Sequence, residues 1–168
     1  ALDAARARGV ERFLCIGVSA ENAPAVKSLA EHYADVFCSV GIHPLDLQPG
    51  VAPALNWLLD ELNHPRVVAI GETGLDYHYQ PEAAELQQVS FRLHLDAARI
   101  TGKPIIVHTR EARTDTLKLL REAALLGAIR GRLTMPLPDL VLIAGNPLFS
   151  RHHKIPGAYL LSADYDRL

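Results

Sequence analysis

What this chain has little of narrows its class before any motif is found. It holds only two cysteines, Cys15 and Cys38, each inside an apolar run. Without a close C-x-x-C pair for a metal or redox couple, both read as buried, reduced thiols of a cytoplasmic protein. No apolar run approaches the roughly 18 residues of a membrane span. The opening "ALDAARARGVERFLCIGV" lacks the charged, then apolar, then small layout of a secretion signal. It also lacks an initiator methionine, so the expected coding start lies upstream. Basic excess is missing too: 17 Lys and Arg against 19 Asp and Glu leave a formal net charge of -2. That excludes a strongly basic coat for nucleic acid, though not a local basic patch. There is no internal repeat and no low-complexity segment.

What is present suits one globular core, with 49% hydrophobic residues in 168. Short β-branched runs alternate with helical stretches. Strands are expected at Arg12–Val18, Val36–Ile42, Val67–Gly71 and Pro104–His108, almost all as continuous apolar runs. That pattern marks parallel strands buried on both faces. Helices are expected at Glu21–Tyr33, Ala52–Leu62, Pro81–Thr101 and Glu111–Leu126. In the third, Leu86, Val89, Leu93, Ala97 and Ile100 recur at steps of three and four and form one apolar stripe. Pro81 suits its first turn, and Gly102 with Pro104 ends it. Such repetition predicts right-handed βαβ units and a parallel sheet.

Beyond about residue 128 the pattern changes, and no helical stripe is found. Leu140–Ala144 and Ala158–Leu161 are apolar enough to be strands.

Parallel α/β sheets gather ligands at the carboxyl ends of their strands. Here the second strand delivers His43 ("GIHP"), the third Glu72 and Asp76 ("GETGLD"), and the fourth His108 and Arg110 ("VHTR"). Carboxylate and imidazole from neighbouring strands can share a divalent cation. Such a cation would polarise a scissile bond and lower the pKa of bound water to about 7. Gly71 and Gly74 let the backbone turn and approach a ligand.

Each residue also has a plainer reading. Glu72 alone reads as a surface-loop acid, Asp76 as a brace for the loop before Pro81, and His43 as a turn residue before Pro44. Arg110 suits either a structural ion pair or a bidentate phosphate contact. Tyr77 and Tyr79 suit packing or base stacking. His152 and His153 look like a ligand pair, but adjacent residues on a strand point apart.

In order, "SVGIHP", "VVAIGETGLDYHY" and "GKPIIVHTREA" resemble the TatD family of metal-dependent hydrolases, over about residues 1 to 126. "FRLHLDAA" resembles the family's intervening helix. The resemblance implies a TIM-barrel fold of the amidohydrolase type, of which about four βα units are recognisable. It implies one or two divalent cations (magnesium, manganese or zinc) and hydrolysis of phosphoesters, most often DNA, by a cytoplasmic enzyme. The expected partner is DNA or another phosphoester; no membrane and no protein partner are predicted. Glu72 matches the metal-bridging carboxylate and His108 a metal-binding imidazole. His43, Asp76 and Arg110 fall in motifs beside that site, which implies catalytic roles for them in holding substrate or orienting the ligands.

The departures are equally specific. The family's H-x-H pair at the end of its first strand is missing, because this chain is expected to begin within the helix that follows. A later "HCF"-like histidine and a "TDSP"-like aspartate are missing as well, and His152, His153, Asp164 and Asp166 take no role. The break after "LLREAALLG" is abrupt. It divides a partial barrel at residues 1–128 from an unmatched tail at 129–168, as a shifted reading frame or a mis-assembled gene end would. A full barrel takes about 250 residues, and a closed zinc centre about three protein ligands. Two alternatives therefore stay open: a non-catalytic fragment of the family, and a metal-dependent hydrolase of amides or esters.

Overall fold

A computed structural model describes residues 1–49, 54–125 and 140–142. A short helix, α1 (Leu2–Arg6), leads into β1 (Phe13–Cys15), α2 (Ala23–His32), β2 (Val36–Val40) and a 3-10 turn at Pro44–Asp46. Next come α3 (Leu55–Leu62), β3 (Val67–Asp76), a 3-10 turn at Pro81–Ala83, α4 (Ala84–Thr101), β4 (Ile105–Arg110), α5 (Arg113–Leu125) and β5 (Leu140–Leu142). The strands lie in chain order, β1-β2-β3-β4-β5, and every neighbouring pair is parallel. All carboxyl ends therefore meet at one edge.

The apolar runs of β2, β3 and β4 are buried largely as expected, whereas β1 is only partly covered and exposes Leu14. Val36, Cys38, Val40, Val67, Ile70, Ile105 and Val107 are buried with Leu58, Leu62, Phe91 and Leu95 from α3 and α4 in one core. Cys15 and Cys38 are free thiols and register partners across β1 and β2. Burial pushes the Cys38 thiol up to about 11. No helix among the described residues is long and apolar enough to cross a membrane.

Four expectations need correction. The stripe Leu86, Val89, Leu93, Ala97, Ile100 is not the buried face of α4: Val89 is 50% and Ile100 52% exposed. The face against the sheet is Gln87, Ser90, Phe91, His94, Leu95, Ala97 and Ala98, whose polar members hid it from an apolar count. Pro81 opens the 3-10 turn rather than α4 itself, whereas Gly102 does end α4, at φ 68.

The third correction concerns β3, which does not stop at Gly71. Ile70 pairs with Ile105 and Thr73 with Val107, so three steps on β3 face two on β4. Gly71 and Glu72 form a bulge, after which the strand resumes as far as Asp76. A bulge leaves its extra residue out of the ladder and re-aims a side chain. Helix α5 likewise starts later than expected, because Glu111 has φ 52 and cannot belong to it. Of the two possible strands in the tail, Leu140–Leu142 pairs with β4, and Ala158–Leu161 lies outside the described residues.

Candidate metal centre

The bulge decides where Glu72 goes. Its N–H donates to the Gly17 carbonyl at 2.7 Å, in the loop after β1. Its carboxylate lies inward with 16% side-chain exposure, which excludes the surface-loop reading. Oε1 stands 3.3 Å from Nδ1 of His108.

His108 sits on β4, opposite Gly74 in register. That position of β3 must be glycine for two reasons. Its φ is +141, and a Cβ there would come within 2.0 Å of the His108 carbonyl oxygen. The other ring nitrogen of His108, Nε2, lies 3.0 Å from Oδ2 of Asp76. Burial pulls the His108 pKa down. The hydrogen bonds to Glu72 and Asp76, with their charges, outweigh it and leave the pKa raised.

Asp76 is 1% exposed and serves two purposes. Oδ2 takes the histidine, while Oδ1 accepts the His78 and Tyr79 N–H groups, each at 3.0 Å. The loop brace and the site residue are the same carboxylate.

His43 follows β2, and its N–H donates to the Val18 carbonyl at 2.7 Å. Its ring meets that of His108 edge-on, with centroids 4.4 Å apart. Nδ1 accepts the Leu45 N–H at 3.2 Å and caps the 3-10 turn, as the plainer reading expected. Burial, then the neighbouring His108, lower the His43 pKa. The neutral ring therefore carries its proton on Nε2, because the Nδ1 lone pair is engaged. His43, Glu72 and His108 each offer a ligand atom within 4.8 Å of the others, which makes them a group able to hold a metal ion.

The remaining candidates lie outside this group. Arg110, in register with Asp76, holds its guanidinium 4.5 Å from the centroid of Tyr79. Tyr79 itself is 59% exposed. Tyr77 turns away: its hydroxyl donates to Asp115 at 2.9 Å and receives Gln88 at 2.8 Å, so packing is its role. His152, His153, Asp164 and Asp166 lie outside the described residues.

The family described as TatD related DNase matches residues 1–133. The chain belongs to the TatD family. Among relatives, the Escherichia coli (strain K12) protein YcfH, described as an uncharacterized metal-dependent hydrolase, is 42% identical over 119 residues. The match covers 70% of this chain and 44% of YcfH. The 3'-5' ssDNA/RNA exonuclease TatD of Klebsiella pneumoniae (strain 342) is 34% identical over 120 residues, which cover 70% of this chain and 44% of that protein. The crystal structure of YJJV, a TatD homologue from Escherichia coli K12, matches with a TM-score of 0.63 and 30% identity. It covers 70% of this chain and 46% of YJJV. The chain spans about half the length of the curated relatives it matches, and its parallel strands form half of a TIM barrel of the TatD kind.

Within this TatD half-barrel, sequence reading missed the residues that hold the site from behind. These are Gln87 and His94 on α4 and the Gly17 and Val18 carbonyls after β1. A glutamine and a histidine seven positions apart, the histidine flanked by Leu93 and Leu95, were the available signal.

Proposed function

We propose that this chain carries the metal-binding part of a hydrolase that cleaves phosphodiester bonds of DNA. The observation that carries the proposal is the convergence of Glu72 Oε1 and His108 Nδ1, 3.3 Å apart, with Asp76 behind the histidine. The donor set fits a divalent cation. A carboxylate and an imidazole face one point, and a buried carboxylate accepts the far N–H of that imidazole, the usual support of a metal-binding histidine. A mixed nitrogen and oxygen set suits zinc or manganese, and magnesium through the carboxylate. When bound, one or two such cations would polarise the phosphoryl oxygens and acidify water.

The chain's own residues divide the remaining work. Asp76 accepts the Nε2–H of His108, so when the ring gives up its Nδ1 proton the lone pair there faces Glu72 and a cation. His43 offers its Nε2–H as a hydrogen-bond donor rather than a cation ligand, since its Nδ1 lone pair already accepts the Leu45 N–H. Arg110 has the planar fork that grips a phosphate at two oxygens. Tyr79, exposed beneath it, offers a face on which a base can stack. The Klebsiella pneumoniae relative, named as a 3'-5' ssDNA/RNA exonuclease, supports a polynucleotide substrate. The two free thiols support a cytoplasmic setting.

The test offers the protein single-stranded DNA with magnesium or manganese, then with chelator, alongside amide and ester substrates. DNA cleavage that chelator abolishes and Glu72→Ala removes is the expected result. Cleavage of only the amide or ester keeps the metal and changes the bond. A folded protein that binds manganese and cleaves nothing is the non-catalytic member.

A further inference from the structure

Two buried polar side chains on α4 take no part in the chemistry above. Gln87 and His94 lie two helical turns apart on one face, and both are fully buried. Gln87 Oε1 accepts the Asp76 N–H at 2.7 Å, and its Nε2 donates to the carbonyls of Asp76 at 3.0 Å and Gln80 at 3.2 Å. His94 Nδ1 stands 2.8 Å from the Ser90 carbonyl, which can only accept, so the ring proton is there. The Nε2 lone pair is then free to accept the Ile42 N–H at 3.0 Å. Burial holds this imidazole's pKa down at about 4, which keeps it a neutral acceptor near neutral pH.

Apolar side chains could fill both places without the cost of burying polar atoms. What the polar atoms add is a grip on backbone, and in both cases that backbone bears a site residue. Asp76 is the last residue of β3. Ile42 immediately precedes His43, beyond the end of β2, where no ladder holds the chain.

We propose that Gln87 and His94 are positioning residues of the metal centre: α4 fixes Asp76 through Gln87, and His43 through His94 and Ile42. The inference rests on reading Glu72 and His108 as a metal centre, with the His43 ring packed edge-on against His108. It gives α4, which carries neither of the proposed ligands, control over the carboxylate and the ring that hold His108 in place.

The experiment compares His94→Gln, His94→Asn and Gln87→Leu in the full chain. Glutamine carries its amide oxygen to about the place of Nε2, whereas asparagine reaches only the place of Nδ1. Three quantities are read: the nuclear Overhauser contact between the His43 and His108 rings, manganese affinity by titration, and the thermal midpoint. The expected result is that His94→Gln keeps the ring contact and binds manganese within twofold of wild type. His94→Asn, still folded, should lose the contact and bind at least tenfold more weakly. Gln87→Leu should keep the contact and weaken manganese at least tenfold. His94→Asn with contact and affinity intact would overturn the proposal, since the side chain would then be core filling. If the wild type binds no manganese, the metal-centre reading fails. The ring contact alone then decides positioning, by its loss in the asparagine variant and survival in the glutamine one. Should His94→Asn not fold, Gln87→Leu decides through the ring nitrogen shifts of His108: unchanged shifts overturn the proposal, altered ones support it.

Discussion

Nε2 of His108 lies 3.0 Å from Oδ2 of Asp76, which leaves Nδ1 facing Glu72 at 3.3 Å. To take a cation the ring must be neutral, with its proton held on Nε2 by Asp76 and its lone pair on Nδ1. Asp76→Asn keeps the size and one acceptor oxygen for the His78 and Tyr79 amides. Facing the imidazole with its amide group, the asparagine would donate to Nε2 and send the ring proton to Nδ1, against Glu72. Cation affinity should fall about 10- to 100-fold, as outer-sphere losses do, with the fold retained. Manganese titration beside circular dichroism measures both, and unchanged affinity would dismiss the orienting role.

Much of this was legible from the residue order, and the exceptions share a cause. Buried parallel strands announce themselves as apolar runs, so the β1 to β4 runs and the three site-bearing segments were found. Glu72 and Asp76 could be placed after an apolar run, but not the bulge between Ile70 and Thr73, because register depends on the partner strand. The inner face of α4 was misplaced for a related reason. Gln87, Ser90 and His94 are polar, and hydrophobic periodicity counts them as solvent-facing. Their partners are backbone groups of Asp76 and Ile42, which become neighbours only in the folded chain.

Arg110 is held over the Tyr79 ring at 4.5 Å, and no carboxylate pairs with it among the described residues. If it grips a phosphate, Arg110→Lys should keep the charge but lose the two-point contact and the flat stack. KM for a single-stranded oligonucleotide should rise about tenfold, which corresponds to roughly 1.4 kcal/mol. Steady-state kinetics with a fluorogenic oligonucleotide decides it. A variant indistinguishable from wild type removes Arg110 from substrate binding.

Gly74 and Gly102 separate two effects of adding a methyl group. Both have positive φ, +141 and +68, but a Cβ on Gly102 meets nothing within 4 Å, while one on Gly74 meets the His108 carbonyl at 2.0 Å. Gly102→Ala should cost only the backbone term, about 1 kcal/mol. Gly74→Ala adds a collision with backbone that has no rotamer to escape into, and should cost more than about 2 kcal/mol. Urea midpoints at constant slope compare them. Equal costs would mean that β3 and β4 are not so closely apposed at the site.

His94 gives stability a pH dependence of definite sign. Its pKa is about 4 in the fold and about 6.5 in an unfolded chain, so between those values the unfolded state binds more protons. Stability from this group is complete above pH 6.5 and falls as pH is lowered toward 4, by up to about 3 kcal/mol. His43 is also lowered and adds a slope of the same sign. His108 is raised, is protonated in both states across most of this window, and adds little there. The difference between wild type and His94→Gln therefore isolates His94, since glutamine keeps the acceptor for the Ile42 N–H and cannot titrate. Urea unfolding at half-unit steps from pH 7 to 4 should show the variant losing less stability than wild type, most of the divergence falling below pH 6.5. Parallel curves would mean that His94 binds a proton as readily in the fold as in the unfolded chain, so that Nε2 is not held as the acceptor of the Ile42 N–H.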